Sequence, residues 1–333
     1  MSKMLIFHHS DLDGMGVKIV AIRQAQLQEM EYETFKCNYT DVNQIVRQRI
    51  SENLDDVTEI VIGDISVDAD TAVVLDAACF RNGIKLILRD HHATAEHLND
   101  WGWAIVREHK DGVPYCGTHL LAEEFPEVFK EFQAFIQTVD DWDTWKWVKN
   151  GNNTAKDLNA LFQVIGEERF TEYILRLYEG TISDPVQLFN SWAASIVEAH
   201  DLFVEKTAKN CENSMWTMEL KVPLKQHSYK TGIIFANNDL SDIANIILSK
   251  HPELDILMIM SYPKTISYRT RKSLDIPLGD LAQMITGKGG GHPQSAGSTI
   301  SPKIFGKTFE RALKSMSGNL KGLEFNNLKP NKE

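Results

Sequence analysis

Short apolar runs that end abruptly in aspartate and histidine constrain this chain more than any other feature of its 333 residues. Met4 to Phe7 runs into His8-His9-Ser10-Asp11-Leu12-Asp13-Gly14, and Ile60 to Gly63 runs into Asp64. Ile84 to Leu88 leads to Asp90-His91-His92, and Phe135 to Val139 leads to Asp140-Asp141-Trp142-Asp143. Read as strands of an open parallel sheet, these runs finish along one edge, and ligands bind in the crevice beyond that edge. Carboxylates and imidazoles converging there repel one another unless divalent cations lie between them. The pattern predicts a metal site, and a dinuclear one.

The first ~110 residues alternate short apolar runs with helical periodicity, the βαβ pattern of a parallel sheet. Strands are expected at Lys3 to His8, Glu33 to Asn38, Glu59 to Asp64, Ile84 to Leu88 and Ala104 to Arg107. Helices are expected at Gly14 to Met30, after Asp41, and at Asp70 to Phe80. From Cys116 to Phe203 the text turns helical: Leu158, Leu161, Phe162 and Ile165 share a face, as do Tyr173, Ile174, Leu177 and Tyr178. After Asn213 strands return at Trp216 to Val222, Gly232 to Ala236, Ile256 to Met260 and Thr265 to Arg269. Helices are expected there at Ser241 to Ser249, Leu278 to Ile285 and Phe305 to Met316. The expected organisation is α/β: a parallel-sheet domain over 1–150, a helical connector over 151–212 and a smaller α/β domain over 213–325, with the active site in the cleft between the domains. The tail after Leu323 is expected to fray.

The net charge of -11 argues against a protein that coats long nucleic acid, because that affinity comes mainly from lysine and arginine neutralising phosphates. A short phosphorylated substrate is still admitted, since two cations add four positive charges where the carboxylates cluster. Cys37, Cys79, Cys116 and Cys211 lack the paired spacing of zinc or redox sites and read as reduced thiols. No apolar run approaches the ~20 residues that span a bilayer, and the start lacks a secretory core. The expected location is cytoplasmic, with no membrane partner.

Each motif alone has an ordinary explanation. Asp11 and Asp13 straddle Leu12 before Gly14, which suits either two adjacent cations or a plain helix cap. Asp64 is the kind of residue that caps a helix after a strand. Asp90-His91-His92 offers oxygen and nitrogen ligands suited to manganese or zinc. A Gly289-Gly290-Gly291 run reads by itself as a flexible turn. All four acidic motifs at strand ends are much harder to reach by accident.

Ser10-Asp11-Leu12-Asp13-Gly14, Gly63-Asp64, Asp90-His91-His92 and Val139-Asp140-Asp141 resemble, in order, the four motifs of the DHH phosphoesterase superfamily. Gly289-Gly290-Gly291-His292-Pro293 with Ala296-Gly297, and Ser267-Tyr268-Arg269-Thr270 upstream, resemble its associated C-terminal domain. The form His-x-Asp-Leu-Asp-Gly is most similar to the nano-RNase B type of oligoribonuclease. It is less similar to the larger RecJ type, which carries an extra oligonucleotide-binding domain. The resemblance implies that Asp64 bridges two metal ions, with Asp11 and His9 at the first and Asp13, His91 and Asp141 at the second. Asp90 would orient an imidazole, and His92 would face the scissile phosphate. Several branches place the first histidine where this chain has Phe7, so His8 or a water competes with His9 for its place. Asp140 and Asp143 compete with Asp141.

Two cations roughly 3.5–4 Å apart can hold a bridging water, lower its pKa and clamp the attacking and leaving oxygens of an in-line displacement at phosphorus. No Ser-His-Asp or Cys-His arrangement offers a protein nucleophile. Backbone N–H groups of Gly289, Gly290 and Gly291 would meet a second phosphate, gripped by Arg269 with His292 beside it, and with Arg271 or Lys288 as further candidates. The expected function is an Mn2+-dependent phosphodiesterase, other divalent cations also serving, that degrades very short oligoribonucleotides to 5′-mononucleotides. The alternatives are hydrolysis of cyclic or linear dinucleotides, 3′-phosphoadenosine 5′-phosphate or polyphosphate, and a nucleotide sensor without catalysis. A homodimer is compatible with all of these.

Overall fold

The structure is a computed structural model, which describes residues 2–300 except 152, 179–181, 183, 223–226, 262–264, 272–273, 275, 288 and 293–294, and without the side chains of 222, 227 and 292. The helix expected at Phe305 to Met316 and the tail lie outside the described residues. The chain forms two compact units, Met1–Glu198 and Ala199–Glu333.

In the first unit, β1 (Lys3–His8), β2 (Glu31–Lys36), β3 (Val57–Gly63), β4 (Lys85–Asp90) and β5 (Ala104–Val106) form a wholly parallel sheet in the order β2-β1-β3-β4-β5. Helices α1 (Leu12–Leu27), α2 (Val42–Ile50) and α3 (Ala69–Asn82) make the crossovers. Strand periodicity divides β1 between two cores. Met4 and Ile6 face α1, while Leu5 and Phe7 join the residues of α2 and α3. The strand order reverses between β1 and β3, and at such a reversal the connections leave on opposite faces and open a crevice at the carboxyl edge. The first acidic motif and Asp64 stand at that point.

A short hairpin of β6 (His109–Lys110) and β7 (Val113–Pro114) precedes α4 (Gly117–Ala122), α5 (Pro126–Glu131), α6 (Gln133–Asp143), α7 (Lys146–Asn150), α8 (Thr154–Ile165) and α9 (Glu167–Leu177). The run from Phe135 to Val139, read above as a strand, is therefore helical. Val128, Phe132, Phe135, Ile136 and Val139 recur at helical spacing, and all are buried with α1. Leu158, Leu161, Phe162, Phe170, Ile174 and Tyr178 belong to the same core. The segment expected as a connector is thus divided, its part before Ala199 belonging to the first unit. Helix α10 (Ser191–Asn213) contains the division.

The second unit is built on a sheet in the order β12-β13-β11-β10-β9-β8. Its strands are β8 (Trp216–Val222), β9 (His227–Phe235), β10 (Ile256–Ser261), β11 (Thr265–Thr270), β12 (Gly289–His292) and β13 (Ser295–Thr299). Among the described residues of this unit only β9 and β10 pair in parallel, joined through α11 (Leu240–Lys250). Leu257 and Ile259 of β10 pack with α11, and Ile256 and Met258 pack with α12 (Leu278–Thr286). The triple glycine is a strand and not a loop. A Cβ on Gly279 of α12 would lie 2.7 Å from Gly291 O, and one on Gly289 would lie 2.8 Å from the Ala282 carbonyl carbon. Close approach of helix to edge strand is what the glycines provide.

All four cysteines are buried and unpaired. Among the described residues no helix is long and apolar enough to cross a membrane.

Candidate metal centre

Asp11 is the N-cap of α1 and accepts from Gly14 N at 3.1 Å. Gly14 admits no side chain, since a Cβ there would lie 2.2 Å from His9 O. One turn into the helix, Asp13 is held by the next segment: its oxygens accept from Gly117 N at 2.7 Å and Thr118 N at 2.8 Å. Thr118 Oγ1 returns a bond of 2.6 Å to the Asp13 carbonyl. Gly117 in turn lies against Asp64, where a Cβ would come within 2.9 Å of the aspartate Cα. The start of α4 thus locks two carboxylates at once.

Asp64 follows β3 in left-handed backbone, φ 54°, a conformation that aspartate tolerates better than most residues but that still needs holding in place. Its two oxygens serve two clusters. Oδ2 lies 3.6 Å from His9 Nδ1, which is itself 2.9 Å from Asp11 Oδ2. Oδ1 lies 3.4 Å from His91 Nε2, which approaches Asp143 Oδ2 at 3.4 Å and Asp13 Oδ2 at 3.8 Å. In each of the sets His9–Asp11–Asp64 and Asp13–His91–Asp143 the ligand atoms fall within 4.8 Å of one another. Among the described residues Asp64 Oδ2 is buried without a hydrogen-bond partner, and His9 Nδ1, although close to Asp11, makes no well-aligned hydrogen bond. Such orphaned groups are costly in a folded protein unless something else satisfies them.

The electrostatics say the same. Burial, then the charges of Asp13 and Asp11, push the Asp64 carboxyl well above the usual carboxylate range. Burial and the same two neighbours raise Asp143 to about 8. Without cations the site holds protons in their place, and the mixed oxygen and nitrogen donors suit a first-row divalent ion.

Asp90 stands beside the clusters. Its Oδ1 accepts from His91 N at 2.7 Å and lies 2.7 Å from His92 Nδ1, and its Oδ2 accepts from Ser66 Oγ at 2.5 Å. Burial opposes both charges of the Asp90–His92 pair, but their hydrogen bond and mutual attraction outweigh it. Asp90 is held below its usual range and His92 above. The far nitrogen of His92, Nε2, meets the hydroxyl of Tyr39 at 2.9 Å. That tyrosine is 57% exposed, and its ring lies 5.1 Å from His9.

Two choices left open by the sequence are made by position. His8 continues the β1 alternation inward and is fully buried, its Nε2 3.6 Å from Glu167 of α9, and burial pushes it down to about 4. His9, past the strand end, is the histidine that reaches the clusters. On α6, Asp141 and Asp143 are two residues apart and so point to opposite sides of the helix. Asp143 joins His91, whereas Asp141 accepts from Gln137 at 2.9 Å on the solvent side. The resemblance implied Asp141 at the second cluster, whereas in the structure it is Asp143 that stands beside His91. Asp140 is fully buried and ties α6 to its surroundings, accepting from Cys116 N at 2.9 Å and Lys146 Nζ at 2.5 Å.

In the second unit, the register places His292, Ser295 and Arg269 in one row across β12, β13 and β11. Arg269 is partly buried, donating to Tyr268 O at 3.1 Å and Ser241 Oγ at 3.3 Å. Among the described residues β12 is an edge strand, so alternate backbone groups of Gly289, Gly290 and Gly291 point away from the sheet.

No protein-family model matches the chain. It is 25% identical to the oligoribonuclease NrnB of Bacillus subtilis (strain 168) over 308 residues, covering 90% of this chain and 73% of that protein. Its fold is shared with the exonuclease RecJ bound to manganese, at a TM-score of 0.54 and 12% identity, over 95% of this chain and 90% of the other. By these similarities the chain resembles the DHH phosphoesterases, and it is a metal-dependent phosphoesterase. RecJ of Thermus thermophilus in complex with Mn2+ matches at a TM-score of 0.52 and 11% identity, over 95% of this chain and 52% of that one. A 3',5'-cyclic-nucleotide phosphodiesterase of Helicobacter pylori is 22% identical, over 89% of this chain and 93% of that protein.

Proposed function

We propose that this phosphoesterase is an Mn2+-dependent oligoribonuclease that cuts very short RNA to 5′-mononucleotides with a pair of cations. The observation that carries the reading is Asp64, whose two oxygens face two separate donor sets. His9 and Asp11 would hold one ion with Asp64, and Asp13, His91 and Asp143 would hold the other. When bound, such a pair lowers the pKa of water and stabilises the attacking and leaving oxygens of an in-line displacement. Asp90 fixes the ring of His92 through Nδ1, and Nε2 would exchange the Tyr39 hydroxyl for the scissile phosphate. Arg269, Gly289, Gly290, Gly291 and His292 would take a distal phosphate, which limits the substrate to short chains. The similarity to an oligoribonuclease over nine-tenths of the chain supports RNA as the substrate.

A second reading keeps the site and changes the substrate to a cyclic nucleotide. It is favoured by the Helicobacter pylori relative, of which the chain covers 93%. A panel of two- to five-residue RNA, equivalent DNA, 3',5'-cyclic nucleotides, 3′-phosphoadenosine 5′-phosphate and polyphosphate, each with Mn2+, Mg2+ and Ca2+, separates them. Fastest turnover of short RNA with Mn2+, releasing 5′-mononucleotides, supports the first reading. Preferential turnover of a cyclic nucleotide establishes the second.

A further inference from the structure

We propose that the tryptophan ladder following Asp143 is a nucleobase platform that seats single-stranded RNA at the metal centre, an inference that rests on the RNA reading above. Trp142 and Trp147 stack with centroids 5.6 Å apart at 16°, and Trp147 and Trp145 continue the stack at 6.3 Å and 22°. The ladder is placed by covalent geometry. Trp142 is bonded to Asp143, and Trp145 follows it by two residues, so their Cα atoms lie within about 7 Å of the Asp143 Cα. Trp142 packs partly on the core, whereas Trp145 at the other end is 51% exposed.

The backbone at Trp145 is strained. It has φ 60° and ψ 17°, a left-handed conformation that a bulky side chain adopts only where its surroundings impose it. The next residue imposes it. Lys146 Nζ donates to the buried Asp140 carboxylate at 2.5 Å and to Pro114 O at 2.9 Å, and lies 5.2 Å over the Tyr115 ring.

Charge supplies the second argument. At a net charge of -11 the chain gains little from general attraction to a polyanion. Affinity beyond the phosphates gripped by cations and Arg269 has to come from an uncharged contact. Stacking of bases on aromatic rings is such a contact, tolerates any sequence, and requires bases that are not already paired. The ladder therefore selects short, unpaired, base-bearing substrates.

The test compares tetra-adenylate with an abasic ribose-phosphate tetramer, both assayed with Mn2+ on wild type, Trp145→Ala, Trp145→Phe and Lys146→Met. Stacking contributions of this kind correspond to about a five- to hundredfold change, so Trp145→Ala should raise KM for tetra-adenylate by that factor. The preference for tetra-adenylate over the abasic tetramer should fall by a similar factor, and Trp145→Phe should recover most of it. Lys146→Met, which frees the turn without removing a ring, should lower the preference by a smaller factor. An Mn2+-induced rise in melting temperature in each variant shows that the metal centre has formed. Unchanged preference in Trp145→Ala, with tetra-adenylate cleaved normally, overturns the ladder alone. Failure of the wild type to cut tetra-adenylate overturns the RNA reading and the ladder with it.

Discussion

Replacing Asp64 by asparagine should abolish hydrolysis and yet leave the cation-free protein at least as stable as the wild type at alkaline pH. Asp64 is 1% exposed and shares its pocket with Asp11, Asp13 and Asp143. Burial and these neighbours raise Asp64 well above the carboxylate range and Asp143 to about 8. Between the unfolded value near 4 and the raised folded value, the folded state binds more protons than the unfolded one. Stability therefore falls as pH rises through that window, by up to about 1.4 kcal/mol per pH unit for each group. His8, held neutral by burial with its value near 4, acts in the opposite direction only below its unfolded range. The comparison thus belongs between pH 7 and 8.5. An ion at a hundred times its dissociation constant adds about 2.7 kcal/mol, which for a unit of this size raises Tm by roughly 5–10 °C. Thermal melts in EDTA and in Mn2+ are the assay. Wild type should lose stability in EDTA as pH rises and regain it with Mn2+. Asp64→Asn should melt no lower than wild type in EDTA at pH 8.5, lose more than half of the Mn2+ response, and retain less than about a hundredth of the activity. An Asp64→Asn protein that is destabilised in EDTA, responds fully to Mn2+ and still turns over would refute the reasoning.

Asp143→Asn should reduce kcat for short RNA at least a hundredfold, while Asp141→Asn should stay within about twofold, a contrast that steady-state kinetics reads directly. Tyr39→Phe deletes the hydroxyl on His92 Nε2 and should lower kcat/KM about three- to tenfold, the worth of one ordinary hydrogen bond; no change would remove Tyr39 from the site. Arg269→Ala should cost about ten- to a hundredfold in kcat/KM on short RNA and far less on a bis-aryl phosphodiester, which has no distal phosphate. Equal losses on both would show that the arginine serves folding or chemistry instead.

The sheet was legible because its signals are local. β1, β3 and β4 each combine an apolar run with a polar stop, and parallel pairing then brings their ends together whatever the loops do. Asp143 was carried only as a competitor of Asp141, which the resemblance favoured, and a wrong period hid the geometry that separates them. The run from Phe135 to Val139 was read as a strand, although Phe135, Ile136 and Val139 of α6 mark one helical face that also carries Asp143. The choice of His9 over His8 depends on the residue at which β1 stops, the least certain feature of any strand read from sequence. Tyr39 and the backbone clamp from Gly117 and Thr118 on Asp13 had no sequence signal at all. Those contacts join residues 53 and about a hundred positions apart, and only the folded chain brings them together. The glycine run misled for a related reason, since the close approach of α12 that it admits shows only in the folded chain.

Anomalous diffraction from crystals soaked in Mn2+ tests the paired-cation claim most directly. Two peaks are expected, roughly 3.5–4 Å apart with Asp64 between them. One should be ligated by His9 and Asp11, and the other by Asp13, His91 and Asp143. A single peak at saturating Mn2+, or a second ion held by Asp141 in place of Asp143, would contradict the account.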